Sequence, residues 1–325
     1  MREDTHSPRG TALAVSMLVL TTALWGVSFP AMKALLLVQA GSLPGRTSWF
    51  FASLAVACRF SLAALALLAF TGRRLLAITR SEWSEGLGIG VFGGAGILLQ
   101  ADGLAHTSAS VSAFLTQCYA VLIPLWTAAY RRRFPSAAVL GSCALVLAGS
   151  AVLSGVSFRE LRMGRGELET LAAAACFAGQ ILWLARPRYR KNDTLRFSFV
   201  SFAAMAALAV PVAAATAKDP ADLLVACSEP PALAYLAILA GPSTLGANLL
   251  MNRFQPLVSA TRAGIVYCFE PAFASAFALF LPGVFSSLSG IAYADETVTA
   301  RLAAGGGLIL AANLLVLLDR PRRLP

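Results

Sequence analysis

Charge is scarce in this chain. Aspartate, glutamate, lysine and arginine make up only 13% of its residues, about half the ~25% of a soluble domain, which excludes a solvated surface over most of its length. Histidine is nearly absent: His6 and His106 are the only two, too few for a His-rich metal site or an ordinary nucleophile–His–Asp triad. No P-loop occurs, so ATP is not the expected energy source. The six cysteines (Cys58, Cys118, Cys143, Cys176, Cys227 and Cys268) form no C-x-x-C pair, and neither a zinc site nor a disulfide framework is supported. Five of them sit in apolar runs and Cys227 in a loop, so they read as small packing residues. The apolar runs also lack the alternating pattern of a barrel strand.

What is abundant is hydrophobic side chain: 58% of 325 residues, with a mean hydropathy of +0.71. The runs are long enough to cross a bilayer as helices. They predict an all-α integral membrane protein with ten transmembrane helices near 12–36, 50–70, 86–105, 109–130, 136–155, 167–185, 195–216, 232–252, 260–281 and 301–318. The first run passes from Thr11 beyond Phe29, and the A-x-A at Ala12-Leu13-Ala14 opens it instead of closing it, so a span is expected rather than a cleavable signal. The layout is a tail over 1–10, five helices over 11–155, a connector over 156–166, five more over 167–318, and a tail over 319–325.

The net charge of +10 would suggest nucleic acid in a soluble protein. Here the basic residues flank the spans, and that reading is set aside. With the N-terminus in the cytoplasm, eighteen of the 26 Lys and Arg residues fall inside. They include Arg73, Arg74 and Arg80, Arg131–Arg133, and Arg186, Arg188, Arg190, Lys191 and Arg196. Only Arg46, Arg159, Arg162, Arg165, Lys218 and Arg301 fall outside, while Lys33 and Arg59 lie within spans. This bias predicts that both termini are cytoplasmic.

The two halves match weakly. Ser108-Ala109-Ser110 aligns with Ser259-Ala260-Thr261 at an offset of 151, Ala23-Leu24-Trp25-Gly26 with Ala175-Cys176-Phe177-Ala178 at 152, and Gly141 with Gly305 at 164. The growing offset implies an insertion around 283–296. Five spans per half is an odd number, so the second half enters the membrane from the opposite side. That is the inverted repeat many secondary carriers use for alternating access.

Several segments, in order, resemble the EamA-type family of the drug/metabolite transporter superfamily. They are Ala23-Leu24-Trp25-Gly26-Val27-Ser28-Phe29 with Lys33, Arg59-Phe60, Gly103-Leu104 with Thr107–Ser110, Ala113–Thr116 with Tyr119 and Pro124, Val258–Ala263 with Glu270-Pro271, and Glu296 with Gly305. The resemblance runs over about residues 11 to 318. It implies a ten-helix inner-membrane transporter for amino acids, other metabolites or drugs, often exporting them. Two features depart from the family: Arg131-Arg132-Arg133 replaces an acidic residue after the fourth span, and the segment before the tenth is long.

An ionisable group deep in a span costs about 2.5–3.5 kcal/mol on insertion scales and is a functional candidate by default. Glu270, beside Pro271 in the ninth span, is the leading candidate for substrate and proton contact; the alternative is a structural carboxylate paired with Arg59 or Arg262. Asp102 shares a helix face with His106 near an interface and is a second ion-coupling candidate. Lys33 and Arg59 are expected to snorkel.

Uncharged residues add a pattern. Thr244, Asn248 and Asn252 form a stripe along the eighth span. Gln180 and Trp183 lie on the sixth, Gln100 on the third, Gln117 and Tyr119 on the fourth, Trp25 and Ser28 on the first, and Tyr267 beside Glu270 on the ninth. Together they are expected to bind a small amphipathic solute; individually each also suits interhelical packing. Gly88-Ile89-Gly90-Val91-Phe92-Gly93 fits the dinucleotide G-x-G-x-x-G pattern but lies within an apolar helix, so Gly86, Gly90 and Gly94 instead suggest close helix contact.

The expectation is therefore a secondary transporter in a bacterial cytoplasmic membrane, working by alternating access, exporting a small metabolite or drug-like solute, with proton coupling left open. Its partners would be that solute and membrane lipid. No cofactor, metal, enzyme activity or nucleic acid is expected, and a homodimer is left open. The rival reading is an integral-membrane enzyme or lipid-handling protein. Substrate identity and stoichiometry are not legible.

Overall fold

A computed structural model describes residues 8–106, 112, 115–132, 134–154, 164–297 and 299–318. Every regular element among them is helical. The first half contributes α1 (Pro8–Ser42), α2 (Ser48–Thr71), α3 (Arg80–His106), α4 (Tyr119–Arg131) and α5 (Ala137–Ser154). The second contributes α6 (Arg165–Leu184), α7 (Thr194–Thr216), α8 (Ala221–Ser228), α9 (Pro230–Ala240), α10 (Ala247–Phe254), α11 (Ala260–Tyr267), α12 (Glu270–Ala278), α13 (Leu281–Ser289) and α14 (Ala300–Leu318).

Among the described residues, five stretches are long and apolar enough to cross a membrane, over residues 10–42, 48–75, 80–106, 194–216 and 230–257, and a sixth if the bent pair 260–278 and 281–289 is one span. Shorter apolar helices cover 119–130, 137–149 and 303–312.

Local chemistry explains where the helices begin. The Thr47 hydroxyl accepts from Phe50 N at 3.3 Å. Thr79 and Glu82 exchange bonds across the first turn of α3, at 2.7 and 3.2 Å, a reciprocal capping box. The Asp193 carboxylate accepts from Leu195 N and Arg196 N. At Gly72 the chain turns with φ of +50°, a conformation that costs glycine little.

Interior packing is dominated by the approach of α3 to the second half. Gly86, Gly90 and Gly94 meet Val200, Ala204 and Leu208 in ascending order, so α3 and α7 run parallel. Gly88, Gly93, Gly96 and Gly103 meet Trp183, Gln180, Phe177 and Gly166 in descending order, so α3 and α6 run antiparallel. A methyl on Gly86 or Gly90 would come within 2.5 Å of a side chain on α7. Close contact between small residues takes over where lipid and side chain are equally apolar. Likewise α5 and α14 are antiparallel, Gly149 lying against Gly305 and Ile309, and Gly141 against Leu315. The Ser142 hydroxyl donates across that seam to Ala312 O at 3.0 Å.

Two expected helices are not continuous. Across 232–252, α9 passes into a π-helical turn at Gly241–Gly246 before α10 begins. Pro242 in that turn cannot donate a backbone bond, and the wider turn preserves the path of the span. Across 260–281, the helix breaks at Cys268 and Phe269 between α11 and α12 because Pro271 supplies no N–H. The ninth segment then continues past 281, bent by 53°, through α13, which stops at Gly290 with φ of +66°. Much of the insertion expected around 283–296 is thus helix. The fourth segment is described as α4 only from Tyr119. The Ser108-Ala109-Ser110 motif, Arg133, the greater part of the connector and both charged tails lie outside the described residues.

Two cysteines meet: Cys58 Sγ on α2 and Cys227 Sγ on α8 are 3.6 Å apart as free thiols. Span periodicity gives no sign of this contact, because Cys227 falls between the expected spans.

Candidate functional site

A cavity of about 90 Å³ lies between the two halves. Both halves line it: Trp25 and Ser28 from α1, Arg59 from α2, Gln100 from α3, Tyr119 from α4, Gln180 from α6, Met205 from α7, Asn248 from α10, Tyr267 from α11 and Glu270 from α12.

Each polar wall has a structural cause. Glu270 is the first residue of α12, where a helix start favours negative charge, and Pro271 occupies the next position. α1 reaches this point because Gly26 carries no side chain; a Cβ there would lie 2.8 Å from that of Phe273. That close approach sets Trp25 edge-on to Tyr267, with ring centroids 5.2 Å apart. Tyr267 is locked from behind, its hydroxyl donating to Gln255 Oε1 at 3.0 Å while Gln255 Nε2 donates to Ile181 O at 2.9 Å. Gln100 Nε2 donates to Thr116 Oγ1 at 3.0 Å. Gly93 forms part of the floor, where a Cβ would meet Met205 Cε at 2.3 Å and Gln180 Oε1 at 2.9 Å.

Arg59 does not snorkel. It is 4% exposed, its Nε donating to Thr244 Oγ1 at 2.5 Å and its Nη2 to Ser243 O at 3.3 Å. The π-helical turn places those two acceptors, and Glu270 shares the cavity as the opposite charge. A buried cation persists only when paired and hydrogen-bonded. Lys33, by contrast, is exposed with its Nζ 5.5 Å from the Tyr293 ring centroid.

Of the residues read from the sequence, Trp25, Ser28, Gln100, Tyr119, Gln180, Asn248, Tyr267 and Glu270 line the cavity. The remaining four sit elsewhere. Thr244 is spent on Arg59, and Asn252 Nδ2 donates to Ser198 Oγ at 2.9 Å. Gln117 is buried behind the wall, and Trp183 opens onto a separate groove. The stripe on the eighth span therefore serves mainly as packing contact, with Asn248 alone reaching the cavity. Asp102 is fully buried, ion-paired with Arg165 and 3.7 Å from His106 Nε2, which lies 3.0 Å from Ser48 Oγ. This cluster ties the ends of α3, α2 and α6 and is not part of the cavity wall. Sequence reading missed Arg59 as a wall residue, along with Phe60, Phe177, Met205 and Met251. Arg59 could have been found from its position eleven residues into a span; the apolar four resemble any packed side chain.

Comparison with known proteins agrees with this picture. Residues 12–155 match the model of the EamA-like transporter family. A protein of Archaeoglobus fulgidus, described as an uncharacterized transporter, is 26% identical over 301 residues, covering 92% of this chain and 84% of its own. A solved crystal structure of a protein superposes with a TM-score of 0.61 at 16% identity, over 94% of this chain and 96% of that one, a likeness of fold alone. With its apolar spans, its EamA-like residues 12–155 and a transporter relative along nearly its whole length, the chain is a multi-pass membrane protein similar to transporters of the EamA-like family.

Proposed function

We propose that the chain is a secondary carrier that exports a small metabolite or drug-like solute across a bacterial cytoplasmic membrane. Two five-span halves, 11–155 and 167–318, rock about the central cavity, with 156–166 as connector and both termini in the cytoplasm. Glu270 takes the substrate or a proton, and Trp25, Ser28, Gln100, Tyr119, Gln180, Asn248 and Tyr267 hold the solute.

The single observation that carries this reading is a cavity walled by both halves and holding an acid and a base, Glu270 and Arg59. Its size supports movement. At about 90 Å³ it is smaller than the ~150 Å³ apolar cavity that admits benzene, so it must widen to take a metabolite. Inverted symmetry is supported by the contacts. Exchanging each span for the one five further on returns the pairs α2 with α7 and α5 with α14 to themselves; it turns α3 against α6 into the eighth span against α1, a pair that also packs.

Sidedness is supported as well. Arg196 Nε donates to Arg74 O and Asn192 to Glu85 at one end. Arg46 with Asp222, Lys218 with Gly45 O, and Arg165 with Asp102 meet at the other. The first end carries the arginine-rich segments expected inside.

Purified protein in liposomes should exchange a labelled solute against an internal pool. The solute is chosen by a thermal-shift screen, since a selective ligand raises stability by mass action. Glu270→Gln should abolish acceleration by a pH gradient while exchange persists. Unchanged acceleration would remove Glu270 from coupling, and steady chemical turnover without vectorial movement would overturn the carrier.

A further inference from the structure

A second concavity lies on the outer face of the bundle, between α3 and the end of α6, with a volume of about 630 Å³. Its floor and walls are apolar: Leu87, Val91, Phe92 and the indoles of Trp83 and Trp183. Gly88 creates it, since a Cβ there would lie 2.0 Å from the Trp183 ring; any other residue would push the indole out of the groove.

The mouth is basic. Arg80 lines it, and the Arg186 and Arg188 guanidiniums lie 3.6 and 5.6 Å from the Trp183 ring centroid. Among the described residues, neither Arg80 nor Arg186 has an acid within ion-pairing distance. The nearby acids are committed elsewhere: Glu82 to Thr79, Asp193 N and Arg196, and Glu85 to Asn192. The Trp183 indole N–H is buried without a partner, a donor in need of an acceptor.

We propose that this groove holds an anionic phospholipid, its phosphodiester at Arg80 and Arg186 and one acyl chain along Leu87 and Val91. The dimensions agree: Arg80 to Val91 spans roughly 16 Å of helix at 1.5 Å per residue, the depth of one leaflet's hydrocarbon. Tryptophans at the headgroup level and cations beside them match the interface. An unpaired cation near the surface favours anionic lipid by about 1 kcal/mol, so the two give roughly a thirtyfold preference over a zwitterionic lipid. The assignment is independent of the transport cycle.

Tryptophan fluorescence tests it on a Trp25→Phe/Trp49→Phe/Trp126→Phe background, in which only Trp83 and Trp183, both at the groove, remain. The protein is placed in vesicles of phosphatidylcholine doped with brominated-chain phosphatidylglycerol or brominated-chain phosphatidylcholine. Brominated phosphatidylglycerol should quench at about thirtyfold lower mole fraction, and the Arg80→Gln/Arg186→Gln double variant should lose that advantage. An Arg73→Gln/Arg253→Gln control at the same end should keep it. Equal quenching by the two lipids, or an undiminished preference in the Arg80/Arg186 variant, overturns the proposal. Where that variant fails to fold, the two-tryptophan background with both arginines intact suffices: unbrominated phosphatidylglycerol must relieve the quenching. Relief by inorganic phosphate, or dimeric protein shielded from both lipids, would assign the groove to a free anion or a second copy instead.

Discussion

Arg59 and Glu270 are the two opposite charges of the cavity wall. Arg59 is buried and held by Thr244 and Ser243; its removal leaves two acceptors unpaired, at about 1–3 kcal/mol each, and takes the balancing charge from half-buried Glu270. Arg59→Met should therefore melt well below the wild type in detergent, and Arg59→Met/Glu270→Gln should recover part of the loss. Additive losses in that cycle would show that the two charges are uncoupled. A different pair governs the opposite end. Arg46 contacts Asp222 in bidentate fashion at 2.7 and 2.8 Å and, by that hydrogen bonding first, holds its carboxyl below the usual carboxylate range. The stabilisation is complete above that range and fades as pH falls through the lowered value. Asp222→Asn should thus lower the melting temperature at neutral pH, with the gap closing under strong acid; a gap independent of pH would contradict the pairing.

At the scale of the element, α3 is the central helix because its glycines let two partners touch it. Gly90→Leu would drive a branched side chain into Ala204 and Ser201, and overpacking of this kind costs typically 1–3 kcal/mol. Thermal melting should register that loss, while Gly306→Leu, with open space at its Cβ, should leave stability nearly unchanged. Hydropathy made most of the helical segments legible, and the close-packing role of Gly86, Gly90 and Gly94 could be read from their spacing. The breaks were not legible. Pro271 marked a weak point in the ninth segment, but the pattern of apolar residues continues across Cys268 and Phe269 and gives no phase change. The π-helical turn at Gly241–Gly246 is similarly silent, because Pro242 is tolerated within a membrane helix. In the site, polar residues on apolar helices stood out, and eight of them face the cavity. Thr244, Asn252, Gln117 and Trp183 stood out equally and do not, since periodicity gives a face but not the neighbour that face meets. Met205 and Met251 line the wall unseen, their side chains indistinguishable in sequence from packing.

For the whole molecule, the decisive relation is that the major helix contacts join one half to the other. α3 lies against α6 and α7, α2 against α7, α5 against α14, and α1 against α9, α10 and α12. Residues 12–155, the stretch that matches the EamA-like family, coincide with one such half. Two interlocked units can move as bodies about a shared cavity, and alternating access requires nothing more. The most direct measurement is labelling of a single cysteine at Ser28, on a background with the native cysteines replaced, by a membrane-impermeant maleimide. The account predicts reaction in right-side-out and in inverted vesicles alike, slowed from both faces by the transported solute. Reaction from one face only, whatever the solute and gradient, would contradict it.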